Sequence, residues 1–280
     1  PVSRPATETR ELLEALIRID SVNPVLDPAH PGETEIARFV RDWAEARGLT
    51  TRWLEPAPGR PSVIVRAAGR GGGRTLMLNA HLDTVGVTGM DAPFEPRLAD
   101  GRLHGRGAMD MKGSLAACLA VAAWAAARGD LAGDVVIAAV ADEEHDSLGT
   151  LAALAEVRAD LAVVTEPTDL TLHVAHRGFA LVEVELEGRA SHTSQPERGV
   201  NALRQLGRLL AAVDASDAEL RARPPHPLLG HGSWQPVLAA GGHELFTTPA
   251  HAGVTLERRT LPGEDAARGV LAGPVSYTHL

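Results

Sequence analysis

The sequence predicts an α/β protein: a mainly parallel sheet flanked by helices, followed by a smaller α+β domain. Three observations predict it. Short, nearly uninterrupted apolar runs such as Asp134–Ala141 alternate with helical patterns, as strands buried on both faces do. The pattern changes near residue 172, where Leu172–Leu186 alternates as a half-buried strand would. The length of 280 residues is room for about two domains.

The elements follow in order. Thr7 is the expected N-cap of a first helix, with Glu8 placed where the helix dipole favours negative charge. A full capping box is absent, because Arg10 stands three positions on. Leu12, Leu13, Leu16 and Ile17 recur at helical spacing, giving a helix over about 8–19 that stops near Asn23-Pro24. A second helix is expected over about 33–47, ended by Gly48. Ser62–Val65 and Thr75–Ala80 read as strands, followed by a loop over 84–108. Ser114–Arg128 is an alanine-rich helix, and its Cys118 reads as core. Asp134–Ala141 is a strand, Leu148–Val157 a helix and Leu161–Val164 a strand. In the smaller domain, a helix is expected over Gly199–Val213. A Pro/Gly/His-rich stretch covers 224–243, and a short strand, Val254–Leu256, precedes Arg258 and Arg259.

Composition narrows the function. With 44% hydrophobic and 22% charged residues, the chain is ordinary globular protein. No apolar run reaches the ~18 residues of a membrane span. A single cysteine excludes a disulfide framework or a cysteine zinc cluster within the chain. A net charge of −9 argues against a nucleic-acid partner, which needs phosphate-neutralising stripes of Lys and Arg. No signal-peptide pattern opens the chain, so a cytoplasmic location is the expectation. Lys112 is the one lysine among 27 basic residues, and Tyr277 is the one tyrosine.

Chemistry-bearing residues follow the predicted strands. Thr75–Ala80 runs into His81-Leu82-Asp83, Asp134–Ala141 into Asp142-Glu143-Glu144, and Leu161–Val164 into Thr165-Glu166-Pro167. In open parallel sheets, ligands bind outside the carboxyl ends of the strands. Asp110 joins from the loop Gly105-Arg106-Gly107-Ala108-Met109-Asp110. Each piece alone has a bland reading: a hydrogen-bonded turn, a solvated acidic pair, a Glu-Pro turn. The conjunction differs, because gathering several carboxylates is costly unless cations compensate. Asp110, Glu144 and Glu166 with one hydroxide carry four negative charges, which two divalent zinc ions would balance. Cobalt and manganese also suit such ligands. The Asp83 carboxylate is placed to accept the second N–H of His81 and fix its tautomer.

The motifs His81-Leu-Asp-Thr-Val85, Gly105-Arg-Gly-Ala-Met-Asp-Met-Lys-Gly113, Asp142-Glu-Glu144 and Thr165-Glu-Pro-Thr168, in this order, resemble one family. It is the cocatalytic di-zinc metallopeptidase and amidohydrolase family of acetylornithine deacetylase, succinyl-diaminopimelate desuccinylase, aminoacylase and glutamate carboxypeptidase. Gly188-Arg-Ala-Ser-His192 with Gly199-Val-Asn201, and Glu257-Arg-Arg259, look like parts of its lid domain. The resemblance implies that His81 and Glu166 bind one metal ion, Glu144 the second, and that Asp110 bridges them. It implies Asp83 as the orienting residue and Glu143 as general base and acid. His192 would reach from the lid into a partner subunit's site, in a homodimer formed through the lid. Asn201 and Arg259 would bind substrate, Arg259 at its carboxylate. Lys112 matches the motif's lysine, with a specific or a structural role at the helix start both open.

These implications organise the chain. Residues 1–174 are expected to form the N-terminal part of the catalytic metal-binding domain and 175–272 an incomplete lid/dimerisation domain. Residues 273–280 read as a non-native tail. The chain is expected to be a fragment lacking the C-terminal part of the catalytic domain, whose last histidine ligand His279 does not replace. The expected reaction is zinc-dependent hydrolysis of the amide bond of an N-acyl amino acid, of deacetylase or desuccinylase type. The alternatives are a dipeptidase or carboxypeptidase acting on a short peptide, or an inactive metal-binding fragment. A nucleotide-binding reading of Gly105-x-Gly107 is weak, because Asp110 stands where the third glycine would be.

Overall fold

The computed structural model describes residues 5–264. The end of the expected lid domain and the expected tail 273–280, with Tyr277 and His279, lie outside the described residues. The chain divides into two compact units, Pro1–Thr171 and Leu172–Leu280.

The first unit is an α/β sandwich. α1 spans Pro5–Ile17 and α2 Thr34–Glu45. Thr7 therefore lies inside the first helix and does not cap it; the helix opens on Pro5, a residue whose missing N–H costs nothing in a first turn. Gly48, with φ +74°, turns the chain left-handed after α2. β1 (Thr50–Leu54) and β2 (Ser62–Ala67) form an antiparallel pair. β1 escapes sequence reading because Thr-Thr-Arg-Trp-Leu is half polar and half exposed. β3 (Leu76–His81) follows. The expected loop then contains a hairpin, β4 (Arg97–Ala99) and β5 (Arg102–His104). Its turn, Asp100-Gly101, has positive φ at both residues, the geometry that Asp-Gly turns favour. α3 spans Gly113–Arg128, β6 Val135–Val140, α4 Leu148–Glu156 and β7 Leu161–Val164.

The sheet order is β1-β2-β6-β3-β7. β6, β3 and β7 are mutually parallel, and β2 alone runs against the rest. One face packs Val63, Val65 and Ile137 against Leu16, Ile36 and Leu119. The other packs Met77, Val136 and Val140 against Ala153 and Val157 of the α4 side. β6 is buried at every residue. β7, expected to be buried, is exposed along its length, because among the described residues it pairs on one side only, with β3.

The second unit is α+β. β8 spans Gly178–Glu187, α5 Ala202–Ala222, β9 Ser233–Gly241 and β10 His251–Thr260. The sheet is antiparallel in the order β8-β10-β9. Leu206, Val213 and Leu220 of α5 pack on Trp234, Val254 and Leu256. Three strands replace the expected two. β9 lies inside the Pro/Gly/His-rich stretch, where Pro236 is tolerated beside a register shift in an edge strand. α5 begins three residues later and ends nine residues later than its apolar spacing predicts.

Candidate metal centre

Parallel strands deliver the site. β3 ends at His81, β6 is followed by Asp142-Glu143-Glu144, and β7 by Thr165-Glu166. Thr165 pins the last turn, its N–H and hydroxyl both donating to the Asn79 carbonyl at 3.0 and 2.9 Å. Asp110 comes from an irregular turn, Ala108–Lys112, ahead of α3. Gly107 enters that turn with φ +75°, and a Cβ there would lie 2.8 Å from Thr84 Cγ2 and 3.0 Å from Lys112 Cδ. The Lys112 amine is fully buried and donates to the Ile19 carbonyl at 2.7 Å. That contact supports the structural reading of the lysine. Burial pushes its pKa down to about 7.

His81 lies at the centre. It is 1% exposed, and its Nε2 is 2.9 Å from Asp110 Oδ1, 3.7 Å from Glu166 Oε1 and 3.8 Å from Glu143 Oε2. The ligand atoms of His81, Asp110 and Glu166 all lie within 4.8 Å of one another. Glu144 lies on the neighbouring turn and is not part of that close set. The orienting acceptor differs from expectation. His81 Nδ1 is 2.8 Å from the backbone oxygen of Asp83 and 3.7 Å from its carboxylate. A carbonyl oxygen only accepts, so Nδ1 carries the proton and Nε2 faces the carboxylates. The Asp83 carboxylate instead accepts the N–H groups of Glu143 and Glu144, at 3.0 and 3.1 Å.

Electrostatics describe a site short of positive charge. Burial opposes protonation of His81, but the hydrogen bond to Asp110 and the charges of Asp83, Glu166 and Glu143 outweigh it and raise its pKa to about 9. Asp110 is lowered by its bond to His81. Burial first, then neighbouring carboxylates, pushes Glu144 and Glu166 up to about 7, and also raises Glu143. One imidazole amid converging carboxylates is a donor set that fits a divalent cation.

Sequence reading missed the residues beneath this site. Asn23, Glu33 and Arg60 are buried and bonded to the turns that carry it. Asn23-Pro24 reads as a helix stop, and no spacing rule links residues so far apart.

The remaining candidates lie in the second unit. The N–H of Ser194 donates to His192 Nδ1 at 3.2 Å, and the Ser194 hydroxyl is 2.8 Å from the same atom. Nδ1 therefore accepts, and neutral His192 carries its proton on Nε2. Asn201 caps α5, its Oδ1 accepting the Arg204 N–H at 3.1 Å. Arg259 pairs with Glu257 and lies 5.5 Å from the Phe179 ring centroid. It lines a cavity of about 660 Å³ with His173, His176, Arg177 and Leu229.

A LysW-lysine/LysW-ornithine hydrolase of Pyrobaculum aerophilum is 37% identical over 188 residues, 66% of this chain and 49% of that relative. The chain thus spans about half the length of that curated relative. An M20 family metallo-carboxypeptidase from Sulfolobus solfataricus shares the fold with a TM-score of 0.76 at 17% identity, over 94% of this chain and 74% of that one. A dinuclear metal binding peptidase of the M20 family from Bacillus subtilis superposes with a TM-score of 0.56 at 15% identity, over 95% and 67%. The model of peptidase family M20/M25/M40 matches residues 77–224, more than half of the chain, and this chain belongs to that family.

Proposed function

We propose that the chain is a metal-dependent amidohydrolase that cleaves the amide bond of an N-acyl amino acid. The observation that carries this reading is the convergence of His81, Asp110 and Glu166 with Glu143 beside them, at the carboxyl ends of β3 and its neighbours. His81, Asp110 and Glu166 would hold one divalent ion, and Glu144 with Asp110 a second; zinc fits these ligands best. When bound, such ions polarise a carbonyl and acidify a water. Glu143 removes a proton from the attacking water as the carbon–oxygen bond forms. It passes that proton to the leaving amine as the carbon–nitrogen bond breaks. Burial holds its pKa above the usual carboxylate value. Asp83 holds His81 in the metal-ready tautomer through its backbone carbonyl.

Arg259, in its cationic cavity, suits a substrate carboxylate, and Asn201 would assist from the start of α5. The test is metal reconstitution followed by a panel of N-acetyl and N-succinyl amino acids and dipeptides. Two ions per chain, with chelator-sensitive hydrolysis of the acyl amino acids, is the expected result. Faster cleavage of dipeptides would favour the peptidase reading. Metal without turnover would favour an inactive fragment, and no metal uptake would overturn all three readings.

His192 Nε2, as the N–H end of the ring, suits stabilisation of a developing oxyanion. The reading that it serves a partner subunit's site through a dimer of the second unit has a direct test. Mixing inactive His192→Ala and Glu143→Ala chains should restore part of the activity, because one site per mixed dimer keeps both groups. A mixture as inactive as its components would overturn the shared site.

A further inference from the structure

Two turns of the metal site are joined by one side chain that the reaction itself does not use. Asn23 is fully buried. Its Nδ2 donates to Asp83 Oδ2 at 2.7 Å and to Asp142 Oδ1 at 3.0 Å. Its Oδ1 accepts the Val25 N–H at 3.0 Å, and its own N–H donates to the Thr84 carbonyl at 2.9 Å. Asp83 stands two residues after His81, and the Asp83 carboxylate takes the N–H groups of Glu143 and Glu144. Asp142 stands one residue before Glu143 and has φ +64°, a left-handed conformation that a non-glycine residue holds only when its surroundings impose it. The far flank of Asp142 is fixed as well. Arg60 Nη2 donates to Asp142 Oδ1 at 2.8 Å, and Glu33 accepts both Arg60 and the Asp142 N–H.

The chemistry of the amide matters. Two carboxylates face each other across position 23, and ionised carboxylates only accept. A group with two N–H donors satisfies both, whereas an isosteric carboxylate would add a third acceptor and a third charge. We propose that Asn23 is a positioning residue of the metal site: its amide ties Asp83 to Asp142 and so sets the His81 turn against the Glu143–Glu144 turn. This rests on the metal-dependent reading above.

The experiment compares the whole chain with its Asn23→Asp, Asn23→Ala and Asn23→Ser variants. Zinc affinity is read by chelator competition, the ligand field by the visible absorption of cobalt(II), and folding by far-ultraviolet circular dichroism. Loss of an outer-shell partner weakens metal binding by roughly 10–100-fold. Asn23→Asp is expected at the upper end of that range, Asn23→Ala below it, and Asn23→Ser partly rescued by its hydroxyl donor, with shifted cobalt bands in folded protein. Unchanged affinity and bands in a folded variant would overturn the proposal. So would Asn23→Asp binding as well as Asn23→Ala, or failure of all three to fold, which would assign the residue to stability. Absence of metal binding by the parent chain would instead overturn the metal-dependent reading.

Discussion

Glu143→Ala is expected to keep its metal and to lose roughly 10²–10⁴-fold in kcat, the usual contribution of a positioned general base. Glu143 stands beside the close donor set, its Oε2 3.8 Å from His81 Nε2, and is not one of the three residues whose ligand atoms converge within 4.8 Å of one another. The close donor set is complete without it. The substitution also spares the turn, because the bond to the Asp83 carboxylate is made by the Glu143 main chain. KM should change little, since the lost interaction belongs to the transition state. Metal content, kcat and KM measured on one preparation check this. Metal lost together with activity would make Glu143 a ligand, and an unchanged kcat would remove it from the reaction.

The second large effect is a reversal of pH dependence by metal. In the metal-free protein His81 is raised from 6.5 to about 9, and Glu144 and Glu166 from 4.5 to about 7. The folded state therefore binds more protons than the unfolded state from about pH 4.5 to 9. Stability falls with rising pH wherever that holds. The His81 contribution is complete below pH 6.5 and is lost as pH rises through 9. The two glutamates cost nothing below pH 4.5 and most above 7. A divalent ion must displace these protons, so its affinity should rise by about tenfold per pH unit for each proton released. Thermal melts between pH 5 and 8, with chelator and with zinc, should slope in opposite directions. Parallel curves would mean that these groups do not meet the ion.

Much of this was legible before the fold was known, for physical reasons. Val135–Val140 announces itself because a strand buried on both faces needs apolar side chains throughout, and Leu161–Val164 carries the same apolar run although it is exposed. The ends of such strands are where ligands bind, so His81, Glu143, Glu144 and Glu166 could be nominated from position alone. β1 and β9 were illegible because edge strands tolerate polar residues and proline. Asn23, Glu33 and Arg60 were illegible for another reason. Their side-chain partners beneath the site lie 27 to 119 residues away, and a hydrogen bond across a folded core leaves no periodicity in the chain. The hairpin at Asp100-Gly101 had a local signal, the Asp-Gly pair itself.

The two units keep separate hydrophobic cores, one around Leu119 and Ile137 and the other around Val213 and Leu256. Every residue of the close donor set belongs to the first, while His192, Asn201 and Arg259 belong to the second. Mutational drift can therefore act on them at different rates. A substitution that reshapes the cavity beside Arg259 need not repack the side chains that hold His81 in place. On the reading proposed above, a chain so altered would acquire a new preference among substrates while the chemistry around His81 is inherited intact.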